Sequence, residues 1–357
     1  MTHVDSVLKL VRPDILALSA YSSARKESKG GRVWLDANEN PETPSAHQPL
    51  LNRYPEPQPA DLVAQLAALY SVQPAQCLAT RGSDEGIDLL LRTFCRAGQD
   101  AILFTPPTYG MYVVAAGIQG ARCLTVPLIR EKNFALDAAA VLAAVGPEVK
   151  LVFLCSPNNP TGGLLDRAAV LSVATALAHR AVVVVDEAYV DFSGQPSLAA
   201  EIPSNPNLVV LRTLSKAFGL AGARVGTTIA DPAVIAVLQK VIAPYPVPTP
   251  VRQAALAALT PAGLAAARES VAASVAERAR LAAALVKLPV VKKVWPSDAN
   301  YLLVEVADSA KAMAAGRAAG VIWRDRSKDV PNSIRLTIGT PAENTATLDT
   351  LQALVVY

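Results

Sequence analysis

The chain is poor in the residues from which metal centres and disulfide frameworks are built. It holds three histidines and four cysteines. Cys77, Cys95, Cys123 and Cys155 are widely spaced and form no CxxC pair, which argues against a zinc ribbon or a redox dithiol. They are expected to be reduced, mostly buried packing residues of a cytoplasmic protein. An excess of one charge is missing too: 33 basic against 30 acidic residues leave a net charge of +3, so neither nucleic acid nor another acidic polymer is indicated as a partner. The most hydrophobic stretch, residues 251–288, is broken by Arg252, Pro261, Arg268, Glu269, Glu277, Arg278 and Arg280. It reads as a pair of amphipathic helices and not as a membrane span. The opening MTHVDSVLKLVRPD carries charges where an export signal needs an apolar core, so no export is expected.

What the chain does have is length and apolar content. With 357 residues, 52% of them hydrophobic, it exceeds a single small core and suits a large α/β unit with a smaller satellite. Short β-branched runs alternate with longer helical patterns: AILF at 101–104, ARCLTVPL at 121–128, KLVFLC at 150–155, AVVVVD at 181–186 and NLVVLRT at 207–213. That alternation predicts a mostly parallel sheet with helices on both faces. The proline-dense IAPYPVPTP at 242–250 suggests a boundary, giving an N-terminal arm over 1–30, a large unit over 31–245 and a small α+β unit over 246–357. In the last, strands are expected near NYLLVEV (300–306) and SIRLTIG (333–339). The arm is expected to pack on the small unit or on a partner subunit.

Four segments carry candidate chemistry. In AVVVVDEAY, four valines make a strand buried on both faces, and Asp186 stands at its carboxyl end, where open α/β sheets bind ligands. A carboxylate there needs a charged or hydrogen-bonding partner, although a helix-capping Asp fits the same string. In RTLSKAFGLAGARVG, Lys216 lies among small and aromatic residues ahead of glycines. That setting lowers an amine's pKa and suits a nucleophile, while most lysines are solvated surface charges. In RGSDEG, Ser83 can cap a helix running through IDLLLRTF, whose free N–H groups would hold a phosphate as readily as they open any ordinary helix. SPNNPTG follows KLVFLC directly. It is turn chemistry that needs no function, yet it puts Asn159 at the same sheet edge as Asp186 and Lys216.

Together these pieces resemble the fold-type I pyridoxal-phosphate aminotransferases from about residue 30 to the end. NRYPEPQ, RGSDEG, PPTYGMY, CSPNNPTG, VVVDEAYVDF and RTLSKAFGLAGARVG resemble the histidinol-phosphate aminotransferase branch in particular. The resemblance implies an α/β large domain with a mostly parallel seven-stranded sheet and a small α+β domain. It also implies pyridoxal 5′-phosphate bound to Lys216 as a Schiff base, with Asp186 on the pyridine nitrogen and Asn159 and Tyr189 on the ring 3′-oxygen. Tyr109 is then a stacking residue. Ser83, Asp84, Thr213, Ser215 and Arg224 surround the phosphate, the Asp84 and Glu85 side chains pointing away. Tyr54 reaches the phosphate of the neighbouring subunit of a homodimer. Arg335 grips the substrate anion, with Arg324, Tyr21 and Asn38 also on the substrate side; the alternation of Ile334, Leu336 and Ile338 puts Arg335 on the opposite strand face, where a solvent-facing arginine fits equally well. Trp323 and Ala223 depart from the family pattern, which bears on pocket shape.

The activity so implied is ping-pong transfer of an amino group between L-histidinol phosphate plus 2-oxoglutarate and imidazole acetol phosphate plus L-glutamate, in histidine biosynthesis. A threonine-phosphate decarboxylase and an aromatic amino acid aminotransferase share the scaffold. A cofactor-binding regulator is a further alternative, disfavoured because the short N-terminal stretch has no basic helix-turn-helix pattern.

Overall fold

A computed structural model describes residues 7–19, 35–42 and 51–354. Its main sheet has seven strands: β1 (Cys77–Thr80), β2 (Ala101–Phe104), β3 (Arg122–Thr125), β4 (Val149–Cys155), β5 (Val182–Asp186), β6 (Leu208–Thr213) and β7 (Gly226–Ile229), in the order β1-β7-β6-β5-β4-β2-β3. β7 pairs antiparallel with both neighbours, and the other pairs are parallel. The central strands β4 to β6 are nearly continuous apolar runs because helices cover both of their faces; every residue of β5 and β6 is buried.

The parallel strands end together at one edge of the sheet. Register pairs Cys155 with Asp186 and Asp186 with Leu211, so the loops after β4, β5 and β6 deliver Asn159, Tyr189 and Lys216 to that edge. β1 and β7 are short, and their small and threonine-rich sequences, CLAT and GTTI, gave no strand signal.

A second sheet, ordered β10-β11-β9-β8, is built from β8 (Val291–Val294), β9 (Tyr301–Val306), β10 (Arg324–Asp325) and β11 (Ser333–Thr337), all antiparallel. Ile334, Leu336 and Ile338 enter its own core with Leu302, Val304 and Trp323. Where the sequence pattern divides the chain at the prolines, the cores divide later. Val247, Ala255 and Leu259 are buried in the main core, and the core under the second sheet begins at Leu281 and Leu285 of helix Pro261–Leu285. The described part of the N-terminal arm packs on the main-sheet side. Val7 and Val11 are buried with the helices outside the main sheet, and Lys240 Nζ donates to the Leu16 carbonyl at 2.8 Å. All four cysteines are free and three are buried; Cys123 is exposed. No helix among the described residues is long and apolar enough to cross a membrane.

Candidate active site

A cleft of about 590 Å³ opens at the carboxyl edge of the main sheet, facing the second sheet, with Asp186, Asn159, Tyr189 and Lys216 in its lining. Its volume is that of a small-molecule site. Asp186 is 2% exposed. Its Oδ2 accepts from the Tyr112 hydroxyl at 2.9 Å and its Oδ1 from the Ala188 amide at 3.2 Å. Burial raises its pKa to about 6, while those two hydrogen bonds oppose the rise. Lys216 extends into the cleft with Nζ 5.6 Å from the Tyr189 ring centre. Its pKa is lowered, first by desolvation and then by the positive charge of Arg335. An acid inclined to share a proton and an amine inclined to lose one thus occupy one cavity.

The two adjacent asparagines of SPNNPTG do different work. Asn158 ties the loop down: its Oδ1 accepts from Thr108 Oγ1 (2.8 Å), its Nδ2 donates to the Pro107 carbonyl (2.8 Å), and its own carbonyl accepts from the Tyr301 hydroxyl of β9 (2.8 Å). With the loop fixed, Asn159 faces the cleft. Its Oδ1 accepts from Arg335 Nη1 and its Nδ2 lies 3.5 Å from the Tyr189 hydroxyl.

At the other end, helix Gly82–Phe94 points its N-terminus at the cleft, which favours an anion. The fit between this helix and β7 needs glycine on both sides. Gly82 has φ +74°, and a Cβ on Gly226 would lie 2.3 Å from the Gly82 carbonyl carbon. Thr213 Oγ1 donates to Ser215 Oγ at 2.9 Å, and Arg224 Nη1 lies 3.4 Å from the same oxygen. Two expectations fail here. Ser83 is not the cap: the helix begins at Gly82, and the Arg81 amide donates to Glu85 Oε2. Nor does Asp84 point away, because the nearest strong donors are inside the cleft: its Oδ1 accepts from Tyr109 (2.9 Å) and its Oδ2 from Arg224 (3.0 Å). Glu85 does turn aside, onto Arg81.

The facing wall belongs to the second sheet. Arg324 of β10 stands opposite Arg335 of β11, and Arg324, Arg326 and Arg335 all line the cleft. Asp329, 3.1 Å from Arg326 Nε, is the only carboxylate paired with any of the three among the described residues, and the Nε of Arg335 is buried without a hydrogen-bond acceptor. Such under-satisfied guanidiniums are a ready site for a multiply charged anion. Arg326 and Tyr112 went unnoticed in the sequence. Of the remaining expected residues, Tyr54 is 51% exposed and stacks on Tyr245 at 4.6 Å without lining this chain's cleft, and Asn38 is exposed with φ 54°. Tyr21 lies outside the described residues. Trp323 donates to Thr347 Oγ1 inside the second core, and Ala223 packs at the border of the main core, so neither is part of the cleft lining.

The profile of the family described as "Aminotransferase class I and II" matches residues 15–351. The chain belongs to this family. Among its relatives, this aminotransferase is 49% identical to the histidinol-phosphate aminotransferase of Stenotrophomonas maltophilia, the alignment covering 98% of each chain. A solved structure of histidinol-phosphate aminotransferase from Sinorhizobium meliloti in complex with pyridoxal-5′-phosphate superposes with a TM-score of 0.75 at 27% identity, over 84% of this chain and 82% of that one. The L-threonine-O-3-phosphate decarboxylase of Porphyromonas gingivalis shares the fold, with a TM-score of 0.71 at 22% identity over 85% and 90% of the two chains. The aminotransferase fold is therefore common to more than one reaction.

Proposed function

We propose that the chain is a histidinol-phosphate aminotransferase that holds pyridoxal 5′-phosphate on Lys216 and exchanges an amino group between L-histidinol phosphate and 2-oxoglutarate. The observation that carries this reading is the pairing of a buried acid and a lowered-pKa lysine on one side of the cleft with three arginines on the other. The residues present fit the cofactor from end to end. Asp186 would face the ring nitrogen, and Asn159 and Tyr189 the ring oxygen. Tyr109 would lie against the ring. The start of helix Gly82–Phe94, with Ser83, Asp84, Thr213, Ser215 and Arg224, would surround the phosphate. When bound, pyridoxal phosphate supplies an electron-accepting ring conjugated to the substrate's α-carbon.

The chain's own groups supply the rest. With its pKa lowered, Lys216 has a larger neutral fraction at neutral pH and can take the proton at the substrate α-carbon as general base. The carboxylate of Asp186, sealed from water, keeps a positive charge opposite it favourable. Arg335, Arg324 and Arg326 orient the substrate by its anionic group. Three guanidiniums with one carboxylate among them suit a phosphate dianion better than a single carboxylate, which agrees with the name carried by the full-length relative. The same wall can receive the 2-oxoglutarate and glutamate carboxylates in the second half-reaction.

Tyr54 serves the phosphate of a second copy in this reading, so the enzyme is a homodimer with shared sites. The exposed side chains of Val113, Val114 and Ile118 beside the cleft are suited to cover by that copy. As a biosynthetic enzyme of histidine formation it works in the cytoplasm. The chain is organised as an arm (1–30), a large unit (31–245) and a small unit (246–357), with the helix at Thr249–Ala258 seated on the large unit's core.

A single-turnover assay tests the substrate. Holoenzyme mixed with histidinol phosphate should lose the absorption of its lysine-bound cofactor in one phase. An unchanged spectrum, with carbon dioxide released from threonine phosphate, would replace the aminotransferase by the decarboxylase.

A further inference from the structure

The acid of the cleft is held by the last residue of PPTYGMY, one to which the resemblance gives no role. Tyr112 lies in helix Met111–Gln119 and is fully buried, among the largest such side chains in the protein. Its ring stacks on Phe153 of β4, centre to centre 4.7 Å, and meets Tyr109 edge-on at 5.7 Å. A phenol placed so deep needs a partner for its hydroxyl, and that partner is Asp186 Oδ2 at 2.9 Å.

The phenol's pKa is pushed well above its usual value, by burial first and then by the charge of Asp186. Its proton therefore stays on, and toward the carboxylate it acts only as a donor. An ionised carboxylate offers about four acceptor positions. Tyr112 and the Ala188 amide fill two of them, and the carboxylate still borders the cleft.

Resting on the cofactor assignment above, we infer that Tyr112 is a positioning residue for Asp186, its hydroxyl fixing the orientation and hydrogen-bonding state of the carboxylate that faces the cofactor ring.

Other ionisable groups surround Asp186 from each neighbouring element. Asp84 faces it from helix Gly82–Phe94, Cys155 from the end of β4, Glu187 from the next position in its own chain, Lys216 and Tyr189 from the flanking loops, and Tyr109 and Tyr301 from beyond them. Tyr112 is the only side chain among the described residues within hydrogen-bonding distance of its carboxylate.

The test compares wild type, Tyr112→Phe, Asp186→Asn and the double variant. In apoprotein, the protonation midpoint of Asp186, read from its carboxyl infrared band, should rise above about 6 in Tyr112→Phe. In holoprotein, the dissociation constant of pyridoxal phosphate should rise roughly tenfold, the size expected for losing one hydrogen bond to a charged group. kcat should fall while KM stays within about twofold, because the lost group does not touch substrate.

The Tyr112→Phe effect on cofactor affinity should vanish in the Asp186→Asn background. An equal effect in both backgrounds, or an unmoved midpoint, would reduce Tyr112 to core packing. Should Tyr112→Phe fail to fold, 3-fluorotyrosine placed at position 112 keeps ring and hydroxyl and strengthens the donor. The Asp186 midpoint must then move down, and a stationary midpoint overturns the inference. Because the midpoint is read without substrate, a failure on histidinol phosphate alone would strike the proposed function and leave Tyr112's role standing.

Discussion

The two walls of the cleft solve different problems. On the main-sheet side the polar groups satisfy one another: Asp186 with Tyr112, Thr213 with Ser215, Asp84 with Tyr109 and Arg224, and Asn158 with Thr108, Pro107, Thr161 and Tyr301. On the second-sheet side, of Arg324, Arg326 and Arg335 only Arg326 meets a carboxylate among the described residues, that of Asp329, and the Nε of Arg335 has no acceptor. A wall completed by its own hydrogen bonds is rigid before anything binds, as a cofactor that stays in place requires. A wall left short of negative charge is completed by what enters, as befits a site visited by two different anions in turn.

The contrast breaks first at the lysine. Lys216→Ala should lower turnover roughly a thousandfold or more, and borohydride reduction of wild-type holoenzyme should leave the cofactor covalently on Lys216 in a peptide map. A reduced adduct elsewhere would remove the main-sheet wall from the chemistry.

Asp186→Asn should cost on the order of a hundredfold in kcat, since an amide cannot hold a charge opposite the ring nitrogen. It has a second signature in apoprotein. The folded pKa of Asp186 is raised from 3.8 to about 6, so between those values the native state binds more protons than the unfolded one. The stability this group contributes is complete below about pH 4 and is lost as the pH rises through about 6. Denaturant titrations across that window should show this loss in wild type and not in Asp186→Asn.

The arginine wall separates the two half-reactions. Arg335→Ala should raise KM for both amino donors roughly tenfold or more. Arg326→Gln should raise KM for histidinol phosphate several-fold and leave the glutamate half-reaction within about twofold. Equal effects of Arg326→Gln on both donors would show that this wall does not sense the second phosphate charge.

The smallest effect concerns the edge strand. Arg324 directly opposite Arg335 places like charges across a two-residue strand, which weakens that pair. Inorganic phosphate at several times its dissociation constant should therefore raise the apoprotein's melting temperature by about a degree or more, and less in Arg324→Gln.

How much of this could be read from the residues follows the same division. Lys216, Asp186 and Asn159 were legible because strand-end position and loop composition coincide there with buried β-branched runs. β1 and β7 were not, since CLAT and GTTI carry neither alternation nor bulk and are strands only because β6 offers hydrogen bonds to β7 and β7 in turn to β1. Tyr112 looked like any aromatic residue in an apolar helix; only burial of its hydroxyl against Asp186 sets it apart. Arg326 sits in the polar string RDRSKD, where charge suggests solvent, and the hairpin closing onto β11 is what turns it inward. An acid beside an expected phosphate position suggests a side chain turned away, whereas Tyr109 and Arg224 hold that of Asp84 in the cleft.

Gly226 lies so near the Gly82 carbonyl and the Ser83 amide that a single methyl group has no room. Sheet and helix meet there as bare main chain, and the amides that greet an incoming anion are set by the path of the backbone. Recruiting a cofactor with a bulkier anionic tail would accordingly demand a longer connection between β1 and its helix, because no exchange of side chains at positions 82 or 226 could widen that seat.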